Sequence, residues 1–307
     1  MYDLIIIGAG PAGLTAALYS GRFRLQTLIL EQMAAGGQII LSSTIENFPG
    51  FPGGVSTQEL IDKFTKQVAE LHVAIENREV LAISVNNKEG SPVFNIKTTD
   101  ESYETKSVII ACGASPKQLG IPGEAKFIGR GVSYCATCDG PLFRNKNVVV
   151  IGGGDRAAEE AIFLSSYAKS VYLVHRRTQL RASKILTEKA RLIAGINFAL
   201  ESVVEEIRGR DKVEGVLIRN VRTNSQTEIP CEGVFVCVGI RPNTVFLKNL
   251  LEMDEEGFIM TDQEMRSSHK GLFACGDCRK KSLYQVISAC AEGAIGADSA
   301  HRYLLSL

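Results

Sequence analysis

The stretch "YDLIIIGAGPAGLTAALYSGR", residues 2–22, decides the predicted fold because its pattern changes from that of a strand to that of a helix. Three glycines stand at the change, and Gly8, Gly10 and Gly13 have the spacing of a turn that brings a dinucleotide pyrophosphate to a helix N-terminus. An ordinary glycine turn would have the same spacing. Glu31, however, ends the next strand-like run, 18 residues after Gly13, where an acid can accept hydrogen bonds from ribose hydroxyls.

The same order of strand, glycine turn and helix occurs again in "NVVVIGGGDRAAEEAIFLSSYAK", residues 147–169. Its fingerprint is Gly152, Gly154 and Ala157, and alanine is tolerated at the third position. Because Gly152 follows Gly8 by 144 residues, the repeat predicts two related nucleotide-binding domains in one chain.

The second repeat differs from the first where the acid would stand. Counting 23 residues from Gly8 reaches Glu31, whereas the same count from Gly152 reaches a basic group. This group comprises His175, Arg176, Arg177 and Arg181. A carboxylate would repel a 2′-phosphate and guanidinium groups would bind it, so the site is predicted to select NADP(H) over NAD(H). A solvated basic strand end is the alternative, and His175 could either touch the adenosine or simply pack.

Two dinucleotide sites in one chain indicate a flavin and a nicotinamide that exchange a hydride. The order of the repeats suggests FAD at the first site and NADPH at the second. The predicted fold class is therefore α/β, with two Rossmann-like, three-layer nucleotide-binding domains. Gly- and Pro-containing breaks near 113–121 and 239–243 indicate that the second domain is inserted into the first. We expect an FAD-binding domain at 1–115 and 242–307, and an NADPH-binding domain at 116–241.

Composition limits the other classes of function. Lys+Arg and Asp+Glu balance at 34 each, so the chain has no broad basic field for nucleic acid or an anionic membrane. Its apolar runs are shorter than the ~20 residues of a membrane helix, and its start has no signal-peptide pattern. We therefore expect neither nucleic-acid nor membrane partners, and a reducing, cytoplasmic location. In such a compartment eight cysteines are expected to be free, catalytic or metal-bound.

The sequence "CATCD", residues 135–139, separates two cysteines by two residues and adds a carboxylate. Such a pair allows thiol–disulfide exchange, and Asp139 could donate or accept the proton that the exchange requires. A zinc site shared with Cys275 and Cys278 is an alternative, but 136 residues intervene where ~15–20 are usual. Two unpaired buried thiols are another. A redox dithiol fits best, because the two cofactors would supply its electrons.

Several blocks beyond "CATCD" make the chain resemble the low-molecular-weight, bacterial-type thioredoxin reductases, which are pyridine nucleotide-disulfide oxidoreductases. The resemblance covers nearly the whole chain. It rests on "GAGPAGLTAALYSGR", "GGQ" before "ENFPGFP", "CGASPKQLGIPGE", "SYCATCDGPLFRNK", "VIGGGDRAAEEAIFLS", "VHRRTQLRAS", "FACGDC" and "AEGAIGA". Related flavin reductases that lack the dithiol share the domains but not the "CATCD" block.

The resemblance implies a role for each matched residue. Cys138 matches the thiol that lies against the flavin, Cys135 the thiol that attacks the partner protein, and Asp139 the acid that protonates a leaving thiolate. The residues implied to hold FAD are Gly8, Gly10, Gly13, Glu31, Gly37, Gln38, Asn47, Gly113, Asp277 and Gln285. Those implied to hold NADPH are Gly152, Gly154, Ala157, His175, Arg176, Arg177 and Arg181. No metal site is expected.

Three features depart from the family pattern. Arg156 stands beside the pyrophosphate loop where a small hydroxyl or amide residue is common, and it could add a phosphate contact or crowd the site. Tyr284 replaces a frequent arginine before Gln285. Cys275 and Cys278 replace small apolar residues, and we interpret both as core thiols that flank Asp277. An auxiliary dithiol near the flavin is the alternative.

The resemblance implies a thioredoxin-disulfide reductase that acts as a homodimer on a thioredoxin-like dithiol protein. NADPH would reduce FAD, the flavin would reduce the Cys135–Cys138 disulfide, and Cys135 would attack the partner. Because the dithiol and the nicotinamide belong to one inserted domain and both need the flavin, we expect that domain to rotate between half-reactions. The alternatives are a related flavoprotein with a different electron donor or a glutaredoxin-like acceptor, and a redox sensor without turnover.

Overall fold

The computed structural model describes residues 1–41, 44–45, 47–88, 91–247 and 249–307, without the side chains of Leu41, Asn87, Lys88, Ser91, Thr137 and Cys138. The chain forms two compact units. The first comprises Met1–Ser115 with Arg241–Leu307, and the second comprises Pro116–Ile240. None of the helices in the described ranges has the length and apolar character needed to cross a membrane.

The elements follow one another in this order. The strands are β1 (Tyr2–Ile7), β2 (Thr27–Glu31), β3 (Thr44–Ile45), β4 (Val55–Ser56), β5 (Ala74–Asn77), β6 (Val80–Lys88), β7 (Ser91–Thr98), β8 (Ser102–Ile110), β9 (Ala114–Pro116), β10 (Val132–Ser133), β11 (Asn147–Gly152), β12 (Ser170–Val174), β13 (Ile196–Ala199), β14 (Ser202–Gly209), β15 (Val213–Asn220), β16 (Gln226–Pro230), β17 (Gly233–Cys237), β18 (Ile240–Pro242) and β19 (Leu272–Ala274). The helices are α1 (Pro11–Arg22), α2 (Thr57–Glu70), α3 (Glu124–Phe127), α4 (Ala136–Asp139), α5 (Asp155–Leu164), α6 (Lys184–Leu192) and α7 (Val286–Leu304). Four 3₁₀ turns cover Gly37–Leu41, Gly140–Phe143, Val245–Leu247 and Gly276–Cys278.

The first unit is built on the parallel strands β5–β2–β1–β8–β19. The apolar run of β1 is buried on both faces, as expected for a central strand of a parallel sheet. One face packs against α1 and α7. On the other face lies a second apolar core, to which β6, β7 and the Val245–Leu247 turn contribute. Because β8 also pairs antiparallel with β7, and β7 with β6, these seven strands form one mixed sheet.

The second unit repeats this plan with separate strands. Its parallel sheet has the order β10–β17–β11–β12–β13, and the antiparallel strands β14–β15–β16 form a sheet of their own. One apolar core joins the parallel strands to α5 and α6, and another joins them to the antiparallel sheet. Where the chain passes between the units, β9 and β18 pair as a two-stranded sheet.

The predicted fold class is confirmed: both units are three-layered α/β structures, and the second is inserted into the first. In each unit the glycine fingerprint connects a central strand of the parallel sheet, β1 or β11, to the helix that follows it. This places both turns at the carboxyl edge of a parallel sheet, which is the edge where open α/β folds bind ligands.

Candidate functional site

The first glycine turn has no room for side chains at two of its three glycines. A Cβ atom on Gly8, where φ is +106°, would lie 2.4 Å from the backbone oxygen of Ala111, and one on Gly13 would lie 1.8 Å from the oxygen of Gly8. On Gly10, the residue before α1, a Cβ would have only the Cα of Gly37 within 4 Å, at 3.9 Å. The turn therefore packs tightly at Gly8 and Gly13 but leaves free space beside Gly10. A pyrophosphate needs such free space to approach the backbone.

Glu31 is held beside this turn. One carboxylate oxygen accepts the Ala9 N–H at 2.7 Å, and the other accepts the Met33 N–H at 3.0 Å. The 3₁₀ turn that begins with Gly37 and Gln38 lies next to the same glycines, because the Gly36 N–H donates to the carbonyl oxygen of Ala9 at 2.8 Å. A carboxylate has about four acceptor positions, so Glu31 keeps capacity for ribose hydroxyls.

Asp277 follows β19 at the same edge of the sheet. Its 3₁₀ turn contacts α1, since a Cβ on Gly276 would lie 2.8 Å from that of Ala12. Lys281 Nζ lies 2.9 Å from Asp277 Oδ1 as an ion pair, but this buried oxygen accepts no directed hydrogen bond. Asp277 therefore presents an acceptor that a bound hydroxyl group could use.

Two other predicted residues of this site meet although they are far apart in sequence. Asn47 Nδ2 donates to Gln285 Oε1 at 2.9 Å, and Gln285 caps the N-terminus of α7. Gly113 follows β8 with φ of +63° and has open space where a Cβ would stand. The open glycines, the remaining acceptors of Glu31 and the Asp277 oxygen, which is ion-paired but accepts no hydrogen bond, together fit a flavin dinucleotide.

The second glycine turn has the same construction. A Cβ on Gly152 would lie 2.3 Å from the carbonyl oxygen of Cys237 and 2.8 Å from the Cβ of Ala157. Gly154, the residue before α5, has open space at the Cβ position. As in the first unit, the turn closes against its neighbouring strand and leaves a backbone face free for a pyrophosphate.

The basic group lies around this second turn. His175 is buried and packs on the turn, because a Cβ on Gly153 would lie 2.3 Å from its ring. Burial lowers the pKa of His175, and the charges of Arg181, Arg177 and Arg176 lower it further. The chain then folds back, since the N–H groups of Arg181 and Ala182 both donate to the carbonyl oxygen of Gly153. The arginines are exposed around a neutral imidazole whose buried Nε2 has no partner, which fits an anionic, hydrogen-bonding ligand.

Cys135 is disulfide-bonded and only 6% exposed. Its backbone is held by Ser133, whose hydroxyl accepts the Cys135 N–H at 3.0 Å and donates to the Cys135 carbonyl oxygen at 3.1 Å. The Asp139 N–H also donates to that carbonyl oxygen, so α4 begins as a single closed turn after Cys135. The side chain of Cys138 lies outside the described ones, and its pairing with Cys135 stays a prediction.

Sequence reasoning missed a polar network beside Cys135. Arg156 donates to Glu160 Oε1 at 3.0 Å and to the carbonyl oxygen of Tyr134 at 2.6 Å. Its guanidinium therefore joins α5 to the residue that precedes Cys135. Cys237 Sγ donates to the other oxygen of Glu160 at 2.9 Å. The i,i+4 spacing of Arg156 and Glu160 predicts an ion pair on α5, but the partners outside the helix carry no sequence signal.

The second CxxC pair lies in the core. Cys275 and Cys278 are both free and 0% exposed, and burial raises the pKa of the Cys275 thiol. Cys278 Sγ donates to the carbonyl oxygens of Ile110 and Cys275. The pKa of Cys112 is also raised, first because of its hydrogen bond with the Cys278 thiol. Protonated thiols are poor nucleophiles, which favours the core interpretation. Among the described side chains, no group of three or more His, Cys, Asp or Glu residues could hold a metal ion.

Comparison with known proteins agrees with this geometry. The model of the family "Pyridine nucleotide-disulphide oxidoreductase" matches residues 2–293. The thioredoxin reductase of Treponema pallidum is 44% identical over 306 residues, covering 100% of this chain and 98% of that protein. The crystal structure of Lactococcus lactis thioredoxin reductase in its FR conformation is 42% identical, with a TM-score of 0.96 and 100% of both chains covered. The crystal structure of T. acidophilum thioredoxin reductase is 35% identical, with a TM-score of 0.92 and 98% of each chain covered. The chain therefore belongs to the pyridine nucleotide-disulphide oxidoreductase family and, within it, to the low-molecular-weight thioredoxin reductases.

Proposed function

We propose that this protein is an NADPH-dependent thioredoxin-disulfide reductase that uses FAD. The observation that carries the proposal is the disulfide-bonded Cys135, followed by Asp139, in a unit whose glycine turn is surrounded by arginines. Its likeness to thioredoxin reductases over the whole chain supports the same activity.

The first unit would hold FAD, which carries two electrons between a nicotinamide and a disulfide when it is bound. The N–H groups at the start of α1 would bind the pyrophosphate, and Gly8, Gly10 and Gly13 would let it approach. Glu31 would accept ribose hydroxyls, and Asp277 would accept a hydroxyl of the ribityl and phosphate region. Gly37, Gln38, Asn47, Gly113 and Gln285 would complete the site.

The second unit would hold NADPH. The open backbone at Gly154 and the N-terminus of α5 would receive its pyrophosphate, with Gly152 and Ala157 closing the turn against the strand. The exposed side chains of Arg176, Arg177 and Arg181 would bind the 2′-phosphate with charge-assisted hydrogen bonds. His175 would support the adenosine as a neutral ring.

The sulfur chemistry follows from two-electron reduction of the proposed Cys135–Cys138 disulfide to two thiols. The Cys135 thiolate attacks one sulfur of the partner's disulfide, and the partner's other sulfur leaves with a proton from Asp139. Cys138 then attacks Cys135, which releases the reduced partner and restores the disulfide. The partner is a thioredoxin-like dithiol protein. A homodimer is proposed on the resemblance alone, and a cytoplasmic location is proposed as the reducing compartment expected from the sequence.

The test is to mix the purified, flavin-loaded protein with NADPH and a panel of oxidised thioredoxins. We expect NADPH oxidation that is stoichiometric with new thioredoxin thiols, and its loss in Cys135→Ser. Replacing NADPH by NADH or reduced ferredoxin, and thioredoxin by a glutaredoxin, tests the alternative donors and acceptors. Bound flavin with no NADPH-dependent disulfide reduction would instead identify a sensor and overturn the proposal.

A further inference from the structure

Arg156 connects helix α5 to the residue before the redox cysteine. Its Nη2 donates to the carbonyl oxygen of Tyr134 at 2.6 Å, and its Nε donates to Glu160 Oε1 at 3.0 Å. The sequence places Arg156 beside the pyrophosphate loop, where a phosphate contact was one expectation. The structure gives its guanidinium two partners within the protein instead.

Glu160 reaches the residue on the other side of Cys135. Its carboxylate accepts the backbone N–H of Ala136, and it also accepts the Cys237 thiol at 2.9 Å. The peptide groups immediately before and after Cys135 are therefore both bound by one Arg–Glu pair on α5. Cys135 is thereby fastened to the helix that begins at the second glycine turn.

The carboxylate of this pair depends on its arginine. Glu160 is only 11% exposed in its side chain, and burial raises its pKa. The charge of Arg156 is the strongest of the effects that lower the pKa again. Removing one partner of a buried ion pair leaves the other as an uncompensated charge or forces it to take up a proton. A Glu160 that gained a proton would bind the Ala136 N–H more weakly.

We propose that Arg156 is a positioning residue for Cys135, which with Glu160 fixes the peptide groups on both sides of this cysteine and stabilises the disulfide form. The proposal rests on the proposed function only in taking Cys135 as the redox cysteine. Because the network is present in the disulfide-bonded structure, its loss shifts the equilibrium with glutathione toward the protein dithiol. In that exchange two glutathione thiols become one glutathione disulfide as the protein disulfide becomes two thiols.

The test compares Arg156→Met with the wild-type holoenzyme by three measurements. Mass spectrometry after acid quenching and alkylation gives the equilibrium constant of Cys135 in glutathione buffers. We expect a shift of about tenfold toward the dithiol, which corresponds to about 30 mV. Hydrogen exchange at the Ala136 amide should become about tenfold faster. The KM for NADPH should change by less than about twofold, since no phosphate contact is lost.

Two further variants separate position from charge. Arg210→Met removes an exposed arginine of the same unit and should behave as the wild type in all three measurements. Arg156→Lys keeps the charge beside Glu160, but one amine replaces the planar fork that spans two acceptors. It should therefore shift the equilibrium and the exchange rate in the same direction by a smaller factor, and it keeps the test valid if Arg156→Met does not fold.

The proposal is overturned if Arg156→Met raises the KM for NADPH while the equilibrium and the Ala136 exchange stay at wild-type values, because Arg156 then acts on the phosphate. If Arg156→Lys keeps the wild-type glutathione equilibrium and the wild-type Ala136 exchange rate, the positive charge alone is sufficient. That result would also overturn the proposal that Arg156 and Glu160 fix the peptide groups on both sides of Cys135. A protein that reduces no thioredoxin would end the proposed function but leave the glutathione and exchange measurements valid, so the two failures are distinguishable.

Discussion

At the residue scale, we propose that the three arginines after the second glycine turn, Arg176, Arg177 and Arg181, select NADPH over NADH. Replacing Arg176 and Arg177 by Ala should raise the KM for NADPH about 100-fold, because charge-assisted hydrogen bonds contribute about 1.5–3 kcal/mol each. NADH lacks the 2′-phosphate, so its kcat/KM should stay nearly constant. Steady-state kinetics with both donors check this, with Arg191→Ala as the control on α6. An equal loss with NADPH and NADH would contradict the assignment.

The buried pair Cys275 and Cys278 should not take part in turnover. Replacing both by Ala should leave kcat for thioredoxin reduction within about twofold and lower the free energy of unfolding by about 1–2 kcal/mol, because small core side chains are lost. Activity assays and denaturant unfolding measure the two effects, with Cys135→Ser as the inactive reference. Retained flavin with abolished disulfide reduction would support the auxiliary dithiol instead.

Individual site residues differ in how far the sequence predicts them. Gly8, Gly13 and Gly152 are predictable because a local turn demands glycine, and the structure shows backbone atoms where their side chains would be. The role of Arg156 is not predictable from the sequence, because its partner Tyr134 lies 22 residues away and outside its helix. A long side chain can reach either a ligand or a distant carbonyl group, and sequence spacing does not distinguish them.

At the element scale, the contact between α7 and α1 supports the first glycine turn. A Cβ on Gly293 of α7 would lie 2.2 Å from the backbone oxygen of Ala12, so Gly293→Ala must push the helices apart. We expect a loss of about 3 kcal/mol in the free energy of unfolding and weaker flavin retention, as in overpacked cores.

The same helix offers a matched control. A Cβ on Gly296 would meet its nearest neighbours at 3.8–4.0 Å, which is ordinary van der Waals contact. Gly296→Ala should therefore be neutral or stabilise the protein by up to about 1 kcal/mol through helix propensity. Denaturant unfolding and the flavin absorbance of both variants test this, and equal effects would contradict the close contact.

The elements that the sequence predicts are those with strong local patterns. The strand–turn–helix units of β1 with α1 and of β11 with α5 follow from apolar runs and glycines that are contiguous in the chain. The antiparallel strands β14–β15–β16, in contrast, mix polar and apolar residues and form a sheet of their own. Their pairing depends on partners across the turns and on one buried face, which the motifs do not encode.

At the scale of the whole molecule, the burial of Cys135 leads us to expect a conformational change during turnover. Only 6% of this residue is exposed, which leaves little surface for a partner disulfide to approach. We propose that the second unit rotates about the two chain crossings near β9 and β18, as the doubled connection permits. A photocleavable crosslink between the units should stop thioredoxin turnover until light cleaves it. Full turnover in the crosslinked enzyme would exclude the motion.

The domain plan was predictable because the chain repeats its own nucleotide fingerprint. Two similar fingerprints lie 144 residues apart, and Gly- and Pro-containing breaks occur near 113–121 and 239–243. Insertion of the second domain into the first is the simplest arrangement that accounts for both. The proposed rotation is not predictable in this way, because local sequence patterns do not specify how a bound ligand would shift an equilibrium between conformations.

Anaerobic titration of the flavin-loaded protein with NADPH tests most directly whether electrons pass from the nicotinamide through the flavin to Cys135. The wild type should accept about two equivalents of NADPH per flavin, since flavin and disulfide each take two electrons. Cys135→Ser should accept about one, with its flavin still reduced. An uptake of one equivalent by both proteins, with the Cys135 disulfide intact, would contradict the account.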